Sequence, residues 1–422
     1  EAFEYRVSHC DDTGCTASSL QTGHVSPDLA AGSRPGATRL PFTVGDKISA
    51  QVDVGTGNLM VSTTELTLRR VAGSLDLGMV YNGLTLAPGS RFESSVSPGW
   101  RFSTGSGVRL TQNLGASVTV YGPNGLTGTF FRQAGSTTAY DSPKTMKATL
   151  TRIDTDTFEL TWHQSGDTWI FTAGRLDDIR DRNGNITDLT YDGSGQLTRV
   201  QTDLGPHAGR TVDVSSDAAG RISGLSQNPA NAPARSVTYS YDAAGRLDTI
   251  VDVLGRTTDF DYSTAGDLTS VTAPGGAQTS FGYDNRHRVT SVTQPSDAPG
   301  DAVTRFAYSA GQTLVADPNT DPAQPVSAVP HTDYDLTADG LLLVAKATDP
   351  SGAVRERTYT AFSDVERAVN PSGTTTFGYD PAVNAGESLT SVTAPTGAAS
   401  SYSYGTTAAT QYQVAKGKDA QG

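Results

Sequence analysis

Along most of the chain apolar residues fall at every second position in short runs, and Gly, Pro, Asn and Asp separate the runs. That period matches a pleated strand, whose side chains alternate between faces, and not the roughly 3.6-residue period of a helix. Leu189-Thr190-Tyr191, Tyr239-Ser240-Tyr241 and Phe260-Asp261-Tyr262 carry the alternation plainly. The pattern predicts an all-β protein. Between Val44 and Phe131 it predicts short strands at 51–54, 58–68, 75–81, 100–103, 108–112 and 117–121. Gly55 and Gly57 are expected to take positive φ in a tight turn between two of them. Trp100, after Pro98-Gly99, reads as a core anchor, because an indole buries a large area wherever it can.

From about residue 170 the pattern repeats. Tyrosines ending strand-like runs stand at Tyr191, Tyr241, Tyr262, Tyr283, Tyr308, Tyr334, Tyr359, Tyr379 and Tyr404, with successive steps of 20, 21, 25 or 26 residues after Tyr241. Asp192, Asp242, Asp284, Asp335 and Asp380 follow five of them directly, and 214–217 is a degenerate copy between the first two. In the early copies a turn glycine comes next (Gly195, Gly220, Gly245, Gly266), then an aliphatic two residues on (Leu197, Ile222, Leu247, Leu268). Each unit therefore reads as strand, tight turn, strand, looser turn. Tandem hairpins of this kind extend one antiparallel ribbon, each covering its neighbour's edge. The aspartate is expected to cap its own turn, and the tyrosine to stack on an aromatic or β-branched residue of the next unit. His287 stands where a turn glycine is expected, and 317–330 carries extra prolines.

These tyrosine–aspartate hairpins resemble the YD repeat of the RHS family, seen also in insecticidal toxin-complex subunits and in the teneurin barrel. The preceding stretch, with Gly45-Asp46, Val52-Asp53-Val54-Gly55-Thr56-Gly57-Asn58 and Pro98-Gly99-Trp100, resembles the domain that leads into RHS arrays. Phe3-Glu4-Tyr5-Arg6-Val7 and the cysteines after it resemble the last hairpin of a fibronectin type III domain. The expected organisation is a fibronectin-like hairpin at 1–20, a Pro/Gly/Ser-rich linker at 21–43, an RHS-associated N-terminal β domain at 44–169, and a YD/RHS array at 170–422 that is truncated at its C-terminus. The resemblance implies a spiralling, hollow β-shell without enzymatic activity of its own. It also implies a bacterial, secreted or cell-surface protein whose partner is a C-terminal effector (toxin) domain of the same precursor.

Composition narrows the alternatives. Hydrophobic residues are 36% of 422, low enough to raise disorder, but their periodicity argues for folding. The net charge of −13 disfavours nucleic acid and anionic membrane surfaces as partners, and no apolar run is long enough for a membrane-spanning helix. Cys10 and Cys15 flank an Asp-Asp-Thr-Gly turn and form a candidate disulfide, which would place the chain in an oxidising compartment. No metal-ligand spacing, nucleophile elbow or nucleotide loop is present, so no cofactor is expected. The Asp181-Arg182-Asn183-Gly184-Asn185 segment reads as a hairpin turn better than as a calcium loop, since its glycine is misplaced and the bidentate Glu is missing. Trp162 and Trp169 could pair in a hairpin core or form an exposed platform for a cell-surface glycan, which keeps a carbohydrate-binding adhesion protein as the alternative. A secreted hydrolase is the remaining reading.

Overall fold

The structure, a computed structural model, describes residues 2–5, 8–11, 14–17, 21–24, 32–70, 73–86, 96–113, 117–122, 124–204, 207–228, 233–407 and 410–419. Among them the regular structure is β-strand, with helix confined to single 3₁₀ turns such as Gly83–Leu86. Two sheets dominate. A five-stranded antiparallel sheet has the order Trp100–Phe102, Met79–Asn82, Leu59–Thr63, Ile48–Asp53, Arg39–Gly45. A 28-stranded antiparallel sheet runs from Arg109–Gln112 to Val414–Lys418, every strand pairing with its neighbours in sequence.

The first of these sheets departs from expectation at both ends. Arg39–Gly45 is a strand, although it falls mostly in the stretch expected as linker. Its Leu40/Phe42/Val44 alternation is interrupted by Pro41, which cannot donate to a ladder; the strand takes the sheet edge, where that costs nothing. Gly78 divides the expected 75–81 run into Ser74–Leu77 and Met79–Asn82, and its would-be Cβ lies 2.0 Å from the Thr63 carbonyl oxygen. Gly57 has φ +74°, as expected of a turn glycine. Gly55 is not in the positive-φ region; it is glycine because a Cβ there would meet the Leu342 carbonyl oxygen at 2.1 Å.

The large sheet starts at Arg109, and residue 170 lies inside one of its strands, Thr168–Thr172. Its first eight strands close on themselves: Arg109 pairs with Arg175, and Leu110 N–H donates to the Gly174 carbonyl at 2.8 Å. Val118, Val120, Phe130, Leu150, Phe158, Leu160, Phe171 and Leu176 fill that barrel, all but buried. The following strands continue as hairpins, for example with Tyr262 opposite Leu268 and Phe260 opposite Val271.

The sheet then wraps around the five-stranded one. Successive positions along the wall touch the small sheet and the segments that connect its strands in turn. Thr202 Oγ1 reaches the Arg69 carbonyl, Leu247 N–H the Ser97 hydroxyl, Leu268 N–H the Tyr81 hydroxyl, Val289 N–H the Gly57 carbonyl and Thr313 Oγ1 the Val54 carbonyl. One hydrophobic core joins both sheets, with Trp100 and Tyr81 at its centre and Phe260 edge-on to the indole at 5.1 Å. The interior of the first windings is thus filled by the N-terminal sheet. The hollow expected from the resemblance is not seen there, because apolar inner faces are stable only when covered.

A clasp completes the winding. Lys147 Nζ lies 2.6 Å from an Asp364 oxygen, His163 Nδ1 2.8 Å from the Glu387 carboxylate, and the His163 ring stacks flat on Tyr412 at 3.9 Å. These contacts join the first barrel to the last repeats, across 217 residues for Lys147–Asp364 and 224 for His163–Glu387. The double substitution Lys147→Ala/His163→Ala is expected to speed amide exchange in 360–407 while leaving the early repeats protected. Uniform exchange along the whole wall in that variant would count against a clasp.

Candidate functional site

The recurrent element is the hairpin turn and the tyrosine of the hairpin after it. At Asp242 the carboxylate accepts the N–H groups of Ala244 at 2.9 Å and Arg246 at 2.8 Å, and its second oxygen accepts Arg246 Nε at 2.7 Å. Gly245 supplies the positive φ (+79°) that the turn needs. Asp217, Asp252 and Asp284 make the same set of bonds to Arg221, Arg256 and Arg288. Asp192 accepts Ser194 and Gln196 N–H, and backbone donation led by Gln196 lowers its pKa. The Asp380 carboxylate accepts Ala382 N–H and not the second turn N–H that the other caps receive among the described residues. Asp335 does not cap a turn: it lies within the strand Thr332–Leu336 and accepts Gln312 Nε2, while Asp339 serves the turn that follows. His287 takes φ +61° in the glycine position, and its Nδ1 lies 2.7 Å from Asp267 Oδ1.

Eight of the nine repeat tyrosines are tied to the preceding hairpin through the hydroxyl. Tyr191 donates to the Leu176 carbonyl at 2.6 Å, Tyr241 to Ile222 at 2.5 Å, Tyr262 to Leu247 at 2.7 Å and Tyr283 to Leu268 at 2.7 Å. Tyr308, Tyr359, Tyr379 and Tyr404 donate likewise to Val289, Val344, Val365 and Leu389. Tyr334 packs its half-buried ring on the core. The arginine of the preceding turn lies over the ring: Arg221 at 4.1 Å from Tyr241, Arg246 at 5.0 Å from Tyr262 and Arg288 at 4.6 Å from Tyr308. The expected stacking of tyrosine on an aromatic or β-branched neighbour is therefore mostly replaced by a carbonyl at the hydroxyl and a guanidinium over the face, which satisfies both ends of the side chain. Sequence reasoning missed these arginines. Their signal was the Asp-x-x-Gly-Arg spacing at 217–221 and 242–246, repeated at 284–288 with His287 in the glycine position.

Burial pushes the Tyr262 and Tyr283 hydroxyls well above their usual pKa, so they stay protonated as donors. Tyr262 also receives Trp100 Nε1–H at 2.8 Å, which links wall and inner sheet. Tyr262→Phe strands the indole N–H and the Leu247 carbonyl together. It is expected to cost about 1–3 kcal/mol in urea unfolding, more than Tyr404→Phe at the more open end of the wall.

The inner face changes along the wall. Phe260, Val271, Phe281, Val292 and Phe306 are buried under the small sheet. Further on, the equivalent Phe377 and Val392 are only partly covered, as are Tyr379, Tyr402 and Tyr404, and Arg355 and Arg357 are exposed. An aromatic face with two exposed arginines beside it is left half-open there.

The other sequence candidates resolve differently. Trp162 and Trp169 meet edge to face at 5.1 Å, half-buried against the core, so they do not present a flat exposed platform. In the Asp181 turn the carboxylate accepts Asn183 and Asn185 N–H and the Asn185 side chain, and Gly184 has φ +85°. Backbone register places Cys10 opposite Cys15 between Ser8–Asp11 and Gly14–Ala17; their side chains lie outside the described residues. Among the described residues no group of three or more His, Cys, Asp or Glu could hold a metal ion, and no helix is long and apolar enough to cross a membrane. One group that no motif announced is Glu65. It is fully buried between the small sheet and the wall, accepts the Tyr239 hydroxyl at 3.3 Å, and is pushed up to about 7 by burial.

The family model described as RHS Repeat matches residues 262–299, the hairpins of Tyr262 and Tyr283. No curated protein matches the chain in sequence. Among solved structures, the crystal structure of TcdB2-TccC3 aligns at 12% identity over 94% of this chain and 34% of that one, with a TM-score of 0.31. The crystal structure of TcdB2-TccC3-Cdc42 aligns at 13% identity over 87% and 30%, TM-score 0.31. A Photorhabdus luminescens Tc holotoxin pore carrying a TccC3 mutation aligns at 12% identity over 87% and 30%, TM-score 0.30. The chain spans about a third of the length of these solved chains.

Proposed function

We propose that this RHS-repeat chain is the plugged, N-terminal part of a β-wall that encloses or displays an effector domain of the same precursor. The observation that carries the reading is the change in the inner face. The same inward positions that are sealed by the small sheet at Phe260 and Phe281 stand half-open at Phe377 and Tyr404. A cargo would be shielded there by a sheet whose recurrent tyrosines and aspartates are mostly engaged in holding it together. Those roles account for the repeated tyrosines and aspartates without catalysis, which supports a structural, non-enzymatic part. The register of Cys10 against Cys15 supports a secreted or cell-surface location.

The test is protease protection in the native gene product. Residues encoded after the wall are expected to survive digestion while the wall is intact and to be cut once it is opened by denaturant. Equal digestion in both conditions, or a native product with no domain after the wall, rejects containment. The Trp162/Trp169 geometry does not favour the glycan-platform alternative at that pair.

A further inference from the structure

Strand register assigns the inner positions of the wall. Tyr262 stands opposite Leu268, and Phe260, two residues earlier, opposite Val271. Phe281 and Tyr283 repeat this against Val292 and Val289, as do Tyr239 and Tyr241 against Ile250 and Leu247. The earlier residue of each pair, Phe260, Phe281 or Tyr239, is a buried aromatic. In the strand Val354–Tyr359 the register is the same, with Tyr359 opposite Val365, but the residue two earlier is Arg357, opposite Ala368. Two positions before it Arg355 stands opposite Ala347, where Thr258 stands opposite Ile250 and Thr279 opposite Val271. Thr258 and Thr279 are buried, whereas Arg355 and Arg357 are exposed. Two cations therefore replace a buried aromatic and a buried threonine where the small sheet no longer covers the wall.

Their surroundings on that face carry no other charge. The remaining positions that register places inward on the strands between 332 and 404 are uncharged, among them Tyr334, Phe377, Val392 and Tyr402. Ala347 and Ala368 stand where earlier hairpins have Ile250, Val271 or Val292, and leave room around the guanidinium groups. Arg355 Nη1 lies 3.3 Å from Asp349 Oδ2, and the other oxygen of that carboxylate is held by its own turn, at Ser351 and Ala353 N–H. Arg357 has no carboxylate at ion-pair distance among the described residues. While the face is open, both groups keep their water. Whatever packs against the face removes that water, and a buried guanidinium without an anion is costly. Carboxylates match the guanidinium fork in paired hydrogen bonds, so an acidic surface is accepted here and a neutral or basic one is disfavoured. The half-covered rings of Tyr334, Tyr359 and Phe377 nearby suit apolar groups between the acids.

We propose that Arg355 and Arg357 form a seat on the inner wall for an acidic segment of the enclosed domain, whose Asp or Glu side chains pair with the two guanidinium groups. The choice of occupant rests on the containment reading; the seat itself is tested without a cargo. The whole chain is titrated, by fluorescence anisotropy, with a labelled 12-residue peptide of Glu pairs separated by Phe and Ser. Its counterparts with Gln or Lys in place of Glu, and a single-stranded oligonucleotide of the same length, are the comparison probes. The Glu peptide is expected to bind about tenfold or more tightly than either counterpart. Arg357→Phe restores the residue type of Phe260 and Phe281, so its thermal midpoint is expected to equal or exceed that of the parent while Glu-peptide binding weakens about tenfold or more. Arg355→Gln/Arg357→Gln is expected to remove the preference for Glu over Gln, and Arg367→Gln, on the outer face of the next strand, to leave binding unchanged. Glu-peptide binding no tighter than that of the Gln counterpart, or insensitive to both variants, overturns the proposal. Equal oligonucleotide binding with the same sensitivity also overturns it, since the seat would then accept any anion. The two readings fail separately: a protease-protected domain with no peptide binding removes the seat alone, and peptide binding with no protected domain removes containment alone.

Discussion

Trp100→Ala is expected to lower the unfolding free energy by about 3–5 kcal/mol, the cost of removing a buried aromatic side chain. The indole is fully buried. It packs against Tyr81 at 5.3 Å and Phe260 at 5.1 Å, and its Nε1–H is held by Tyr262. Three of the costs of truncation coincide here: lost burial, a cavity between two sheets that cannot collapse independently, and a tyrosine hydroxyl deprived of a donor. Because the residue joins the small sheet to the wall, the loss should be felt on both sides. Urea unfolding followed by Tyr fluorescence, with amide exchange at 57–61 and 260–271, measures it. A change below about 1 kcal/mol would mean that the small sheet does not brace the wall.

Glu65→Gln is expected to stabilise the protein at mildly alkaline pH and to do little at mildly acidic pH. The sign follows from the direction of the shift. Burial raises the folded-state value to about 7, above the ordinary glutamate value. A carboxyl raised on folding costs stability once the pH exceeds its unfolded value, near 4.3, and the cost stops growing above the folded value. Over that window the penalty is on the order of 3 kcal/mol. Glutamine keeps an acceptor for the Tyr239 hydroxyl and removes the titration. Urea midpoints of parent and variant should coincide at about pH 4.5 and diverge by about pH 8, the variant being the more stable. Parallel midpoints across that range would show that Glu65 stays ionised where it is buried. Other carboxylates act in the opposite sense. Asp349, held down to about 2 chiefly by the Ser351 hydroxyl and by Ala353 N–H, contributes stability that is present above its unfolded value and lost as pH falls through about 2.

The repeat was legible in the sequence because its determinants are local. A turn in which Asp242 receives N–H groups two and four residues on, with Gly245 at positive φ, is specified within five residues wherever it occurs. The alternation that places Tyr262 and Phe260 on one face is equally local, as is the pairing of each strand with the next. Together these determine an all-β chain of successive hairpins, and Trp100 as an anchor. They also hid some of what they contained: the arginine four residues after the turn aspartate was visible, but its place over the next tyrosine depends on how adjacent hairpins are offset.

What lies inside the wall was decided only by the tertiary structure. The curl of a long sheet is the sum of small twists between neighbouring strands, and no single repeat encodes that sum. It brings Gly55 against Leu342, Glu65 against Tyr239, His163 against Glu387 and Arg210 beside Lys47, pairs separated by more than 150 residues. For the same reason Arg39–Gly45 reads as a linker by composition, yet becomes a strand once Ile48–Asp53 offers it an edge. The large sheet likewise begins at Arg109, before the first repeat tyrosine, because its first eight strands close on themselves and need no repeat to do so. The hairpin is a property of about 25 consecutive residues; the filled interior and the clasp belong to the winding.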